Sequence, residues 1–298
     1  MALAEYIIHV YLDRYTIVLG ANTIIDKWLS EIKRKKHSYK FTIIDISEKT
    51  KITDNITDYL ALSLLSHFRD LEHLKRMFKC EPRSKLKKYI RNNIFPSIDS
   101  SLDLKLRRIN YNVRQGDWGE VLTTSIALDI RNVNAPVKKL RYKMNKEKSL
   151  FGIDVLAFEE DGDKNLVKAI LFESKTRRTY KKEIGVEAYN SLCKNSEKAF
   201  IDMLNFLSTL FFDKGNFELA DKYDELVKNP NSIIKEYHSF IIMEKNVWRE
   251  AILDCLDNET VDFENVYFNI FLIDNLKDMV AETYRRTENI AIEVVYEK

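Results

Sequence analysis

The chain of 298 residues has only three cysteines, Cys80, Cys193 and Cys255, too far apart for a CxxC redox pair or a zinc-ligand cluster. That scarcity excludes a disulfide-stapled scaffold and points to a reducing compartment, the cytoplasm. Glycine (7) and proline (4) are also few, and no repeat or low-complexity stretch marks a linker or a solenoid. The opening MALAEYIIHVYLDRYTIVLG lacks a basic stretch followed by a clean apolar run. Nowhere do about eighteen uncharged apolar residues stand together, so neither export nor a membrane span is expected. The five histidines, His9, His37, His67, His73 and His238, show no ligand spacing.

What is present is an ordinary globular composition, 45% hydrophobic and 32% charged. The net charge of +2 hides a division. Residues 74–182 hold 26 Lys and Arg against 13 Asp and Glu, and residues 213–298 hold 10 against 19. A basic middle with Tyr89, Tyr111, Trp118 and Tyr142 in it is the electrostatic footprint of a polyanion partner, because phosphate neutralisation releases counterions; the plainer reading is a set of solvated helix faces.

Apolar periodicity predicts helices over Ile24–Lys35 and Asp58–Phe78 and a short buried strand over Phe41–Ile46. Pro96-Ser97 and Asp99-Ser100-Ser101 form the best break, which divides an N-terminal α/β region (1–100) from a second region (101–298). After it, Leu102–Asn110 is helix-like, and Gln115-Gly116-Asp117 precedes a buried helix over Trp118–Ile130. Lys138–Met144, Ile153–Phe158 and Val167–Phe172 are strand-like, the last two joined through Asp161-Gly162-Asp163 as a hairpin. Beyond them come a helical pattern over Glu187–Phe212, a strand over Tyr237–Met243, a helix over Val247–Leu256, and strands over Val266–Ile273 and Ile290–Val295. The fold class is therefore α/β.

The hairpin gathers chemistry. Side chains alternate along a strand, so Glu173 and Lys175 project to one face, and Asp154 at the start of the antiparallel partner lies opposite them. Two carboxylates held together need a cation between them, and oxygen ligands suit Mg²⁺ (or Mn²⁺). Such an ion polarises a phosphodiester oxygen and lowers the pKa of a bound water, with Lys175 steadying the water or the developing charge. Arg177, Arg178, Lys181 and Lys182 follow directly and are placed to grip flanking phosphates, or simply to stay in water. Each residue has a plainer role as well. Asp117-x-x-Glu120 is a capping box, Asp154 a turn residue, and Glu173 with Lys175 a surface cross-strand pair worth about 0.2–1 kcal/mol. Against that, AILF precedes Glu173, and charges at the exit of a buried strand are costly unless paired or metal-bound.

Gly152-Ile153-Asp154 followed by Glu173-Ser174-Lys175 resembles the PD-(D/E)XK nuclease motif, with Ile153 where that motif carries proline. The resemblance implies a mixed central sheet flanked by helices, with C-terminal additions, and it adds Glu120 of the first core helix as a third metal ligand beside Asp154 and Glu173. More narrowly, the order of GDWGE, a basic segment, FGID and FESK resembles the HamA family, nuclease subunits of the Hachiman antiphage defence system. That likeness implies a DNA nuclease working beside a helicase subunit, HamB. Other nucleases of the same fold, acting on RNA or in restriction or repair, and a scaffold whose charged residues form only ion pairs, stay open on the residues alone.

Overall fold

Runs of β-branched and aromatic residues with no polar alternation belong in strands buried on both faces, and two such runs lie in the last quarter of the chain. The computed structural model describes residues 23–35, 38–148, 152–193, 196–258 and 264–296. In chain order it gives helix α1 (Ile24–Trp28), strands β1 (Leu29–Lys33) and β2 (Thr42–Glu48), then helices α2 (Asp54–Phe68), α3 (Leu71–Phe78) and α4 (Arg83–Tyr89). A π-turn (Ile90–Ile94) leads to the long helix α5 (Leu104–Asp129), a 3₁₀ turn (Lys139–Tyr142) and the hairpin of β3 (Val155–Glu160) and β4 (Leu166–Arg177). Helices α6 (Ile184–Cys193), α7 (Ser196–Asp213) and α8 (Phe217–Lys228) follow, then β5 (Ile234–Glu244), α9 (Ala251–Asp257), β6 (Val266–Ile273) and α10 (Leu276–Tyr296).

The six strands form one mixed sheet in the order β1-β2-β6-β5-β4-β3. β2, β6, β5 and β4 run parallel, and β1 and β3 close the two edges antiparallel. Parallel neighbours need crossovers of a dozen or more residues. Helices α6 to α8 supply the one from β4 to β5, and α9 the one from β5 to β6. Strands from both sides of the break at residues 96–101 thus share this sheet.

Each face of the sheet buries its own core. Trp28, Leu64, Trp118, Phe172, Phe240 and Phe271 fill one, beneath α1 to α5 and α10. Phe158, Phe200, Tyr223, Ile241, Ile252 and Phe268 fill the other, beneath α6 to α9. The alternation along β4 runs through both, with Ile170 and Phe172 on the first face and Ala169 and Leu171 on the second. The expected hairpin is present, Val155 facing Phe172 and Phe158 facing Ala169. Its turn is tied by Asp161, whose Oδ1 accepts from the backbone of Asp163 and Asn165 at 2.9 and 2.8 Å.

Several sequence expectations are corrected. Ile24–Lys35 is one turn and a half of helix followed by edge strand β1, because Leu29–Lys33 pair with Ile44–Glu48. The pattern over Asp58–Phe78 belongs to two helices, the second capped by Asp70, whose carboxylate accepts from the His73 backbone at 3.0 Å. Residues 116–117 do not open a helix. They lie inside the 26-residue α5, whose N-cap is Asp103, accepting from the Leu106 backbone at 2.9 Å, so Asp117 and Glu120 form no capping box. Lys138–Met144 is a 3₁₀ turn and not a strand. Glu187–Phe212 is divided between α6 and α7. Ile290–Val295 is the end of α10, where Ile290, Ala291, Val294 and Val295 form the buried stripe of a helix. His9 and His37 lie outside the described residues, and no described helix is long and apolar enough to cross a membrane.

Candidate active site

Strand β4 outruns its partner. β3 begins at Val155, opposite Phe172, so Glu173 to Arg177 continue past the end of β3. Asp154 fills the next ladder position. Its backbone N–H donates to the Phe172 carbonyl at 3.1 Å, and its Oδ2 accepts from the backbone N–H of Ser174 at 2.9 Å and from the Ser174 hydroxyl at 3.2 Å. Gly152, at a φ of 90°, makes the turn into this position, a conformation side chains disfavour. The carboxylate is therefore fixed by backbone geometry.

Alternation then sorts β4. Glu173 and Lys175 share a face, as expected, and the Lys175 ammonium donates to Glu173 Oε1 at 2.6 Å. Glu173 is buried, whereas a quarter (25%) of the Lys175 side chain is exposed, so the pair points from the core to the surface. Thr176 turns to the other face and meets α5 at Gly119, where a Cβ would come within 2.0 Å of the Thr176 hydroxyl. Only glycine allows that approach. Gln115, one turn earlier, donates to the Thr176 carbonyl at 2.5 Å and accepts from Arg178 at 2.8 Å. The helix is thereby clamped on the strand with Glu120 directed to the same end of the sheet.

Lys139 links the parts. Its ammonium donates to the Ile153 carbonyl at 2.8 Å and lies 3.4 Å from Asp154 Oδ1 and 3.9 Å from Glu120 Oε2. Four residues on, Lys143 donates to both oxygens of Asp117 at 2.7 Å. The 3₁₀ turn exists to send these two lysines inward, which a strand through Lys138–Met144 would not do. The site is thus built from Glu120, Asp154, Glu173 and Lys175, with Asp117, Lys139, Lys143 and Gln115 added. The four basic residues beyond it are not one patch. Arg178 holds Gln115, Lys181 pairs with Glu187, Arg177 is half-buried and Lys182 is exposed.

Burial dominates the electrostatics. It raises the Glu120 carboxyl well above the usual range, with Lys139 opposing and Asp154 and Asp117 adding to it. Burial and the neighbouring Asp154 raise Glu173 despite its contact with Lys175. Asp117 is pushed up to about 6 by burial, against the pull of Lys143. Burial alone would lower Lys139, but Glu120, Asp154 and Glu173 together outweigh it and raise its pKa. Negative charge in the site therefore exceeds what the lysines offset. Among the described residues, no three carboxylate, histidine or cysteine side chains are gathered as metal ligands, and the Lys139 ammonium is the cation beside Glu120 and Asp154. The chemistry of the donors, oxygens only and crowded enough to resist ionisation, fits a hard divalent ion.

A family model described as HamA matches residues 22–287. No curated protein matches the chain.

Proposed function

The chain belongs to the HamA family, and from that membership together with its carboxylate–lysine site we propose that it is a metal-dependent nuclease of PD-(D/E)XK type, the DNA-cleaving effector of a Hachiman defence complex with a helicase partner. The observation that supports the chemistry is the Glu173–Lys175 pair at 2.6 Å, beside an Asp154 locked into the backbone ladder. Mg²⁺ or Mn²⁺ held by Asp154, Glu173 and Glu120 would supply a Lewis acid for the phosphodiester and a water of lowered pKa.

The chain's own groups do the rest. Ser174, through two hydrogen bonds, fixes the Asp154 carboxylate, so its direction costs no reorganisation when substrate arrives. Lys175, partly exposed and steadied by Glu173, is free to donate to a phosphate oxygen as negative charge develops on it. Lys139 offsets the charge of Glu120 and Asp154 and keeps both ionised at neutral pH. The surplus of basic residues in 74–182 supplies the attraction for the phosphate backbone.

The same lysines also suit a reading in which the site is only a buried ion-pair network, since every carboxylate in it faces an ammonium. The two readings part on metal. The test incubates the protein, alone and with its helicase partner and ATP, with plasmid, linear DNA and RNA in Mg²⁺ or EDTA. The proposal expects cleavage of DNA that needs Mg²⁺ and, in the complex, needs the helicase to be engaged. Loss of RNA alone would move the substrate class, and intact substrates under every condition would leave the ion-pair network as the account.

A further inference from the structure

A cleft of about 370 Å³ lies between the end of α2, the π-turn and the segment that follows the 3₁₀ turn. Its volume falls in the range of small-molecule sites, roughly 300–1,000 Å³. Three buried apolar side chains, Phe68, Ile94 and Leu140, contribute to its lining. Three cations, Arg69, Lys143 and Lys146, line it as well. Lys146 is held in place by the carbonyls of Asn92 and Phe95 at 2.6 and 3.0 Å, and its charge stays in the cleft.

One acid stands among these cations. Glu147 Oε1 accepts from the Ser97 backbone at 3.1 Å, while its Oε2 is buried and has no hydrogen-bond partner among the described residues. A buried acceptor without a donor costs about 1–3 kcal/mol, and a ligand N–H would satisfy it. The cleft also borders the candidate active site. Leu140 and Lys143 line it, Lys139 of the same turn faces Asp154, and Lys143 is bound to Asp117, one helical turn from Glu120.

We propose that this cleft holds one nucleotide of a single-stranded nucleic acid, the base lying on Phe68, Ile94 and Leu140, its exocyclic amine donating to Glu147, and its phosphate facing Arg69, Lys143 and Lys146. The proposal deepens the nuclease reading by giving the strand a subsite, and binding measured without cleavage tests it separately. An apolar floor with a cationic rim is how sequence-tolerant strand binders combine base contact with phosphate attraction. The acid adds a preference. Cytosine presents an amino donor where thymine presents a carbonyl and a methyl group, so Glu147 favours the former.

The test is fluorescence anisotropy in EDTA with 5′-labelled oligo(dC) and oligo(dT) of about ten nucleotides. The wild-type protein is expected to bind oligo(dC) several-fold more tightly. Glu147→Gln, which keeps an acceptor for Ser97, should erase that preference. Asn93→Trp, at an exposed position on the rim, should weaken both ligands about tenfold by filling the cleft. Lys222→Gln, away from the cleft, should leave both unchanged. Competition by free dCMP would identify the free nucleotide as the ligand, and its failure would identify the strand. Binding of both oligonucleotides that is absent in the wild type, or unaltered by Asn93→Trp and Glu147→Gln, would overturn the proposal. Loss of cleavage in Asp154 variants with this binding intact would separate the two readings.

Discussion

Lys139 and Lys175 sit in one charge cluster but differ in what they risk. The Lys139 side chain is only 9% exposed and stands between two carboxylates. Removing it leaves those charges buried and uncompensated, so Lys139→Ala should lose about 3–5 kcal/mol of stability, read by urea denaturation. A second prediction concerns His238, buried on the sheet with Nδ1 accepting from Arg131 at 2.8 Å and Nε2 facing Glu236 at 3.3 Å. Burial pushes its pKa down to about 4, and Glu236 opposes that only in part. The unfolded chain therefore binds a proton below about pH 6.5 that the fold refuses. The resulting stability is complete above about pH 6.5 and is lost, by on the order of 3 kcal/mol, as pH falls toward about 4. His238→Gln should flatten the denaturation midpoint across that window, and an unchanged slope would contradict the assignment. Asp154, Glu173 and Lys175 were legible in the sequence because strand alternation is local. Lys139, Lys143 and Asp117 were not. Their i, i+4 spacing was visible, but β-branched and basic residues around it read as a strand, and only the depth of the carboxylates explains the turn.

Among the elements, the contact of α5 with β4 is the one on which Glu120 depends. Gly119→Ala places a methyl group against the Thr176 hydroxyl, and such overpacking costs about 1–3 kcal/mol. The double variant with Thr176→Ala should recover part of that loss, which a double-mutant cycle measures; additive losses would deny the contact. The C-terminal helix α10 is the second case. It buries Met279, Tyr284, Ile290 and Val294 against the first core, and Trp118 Nε1 donates to its Thr283 at 3.2 Å. Ending the chain before Leu276 should abolish cooperative unfolding, read by circular dichroism, whereas a dispensable tail would leave the transition intact. The hairpin, β2, β5 and β6 were readable from apolar content within each segment. The strand expected over Ile290–Val295 shows the limit of that method, because Ile and Val at positions 290, 292, 294 and 295 satisfy a strand's composition and a helix's buried stripe together. Length decides it. The periodicity runs unbroken from Leu276 and belongs to one helix of 21 residues.

At the scale of the molecule, no local signal announces that β2 lies beside β6, more than two hundred residues later, and pairings of that range are set only by the whole sheet. The acidic segment 213–298 accordingly does more than face away from a polyanion. It provides β5 and β6, the two strands at the centre of the sheet, and ties back to the first region through Arg286 with Asp58 at 2.8 Å. The basic segment 74–182 holds the candidate site, so substrate attraction and the proposed chemistry lie in one stretch of chain. DNA affinity measured in EDTA should fall steeply and log-linearly with salt, as phosphate contacts do, while a flat dependence would deny an electrostatic footprint. The central claim is that Lys175, paired with Glu173 beside Asp154, acts on the phosphodiester. The most direct measurement compares supercoiled-plasmid cleavage by the wild-type protein and Lys175→Ala, in the activated complex and the same Mg²⁺ buffer, with thermal stability recorded for both. The account predicts a rate at least about a hundredfold lower with a stability change below about 1 kcal/mol; equal rates would contradict it.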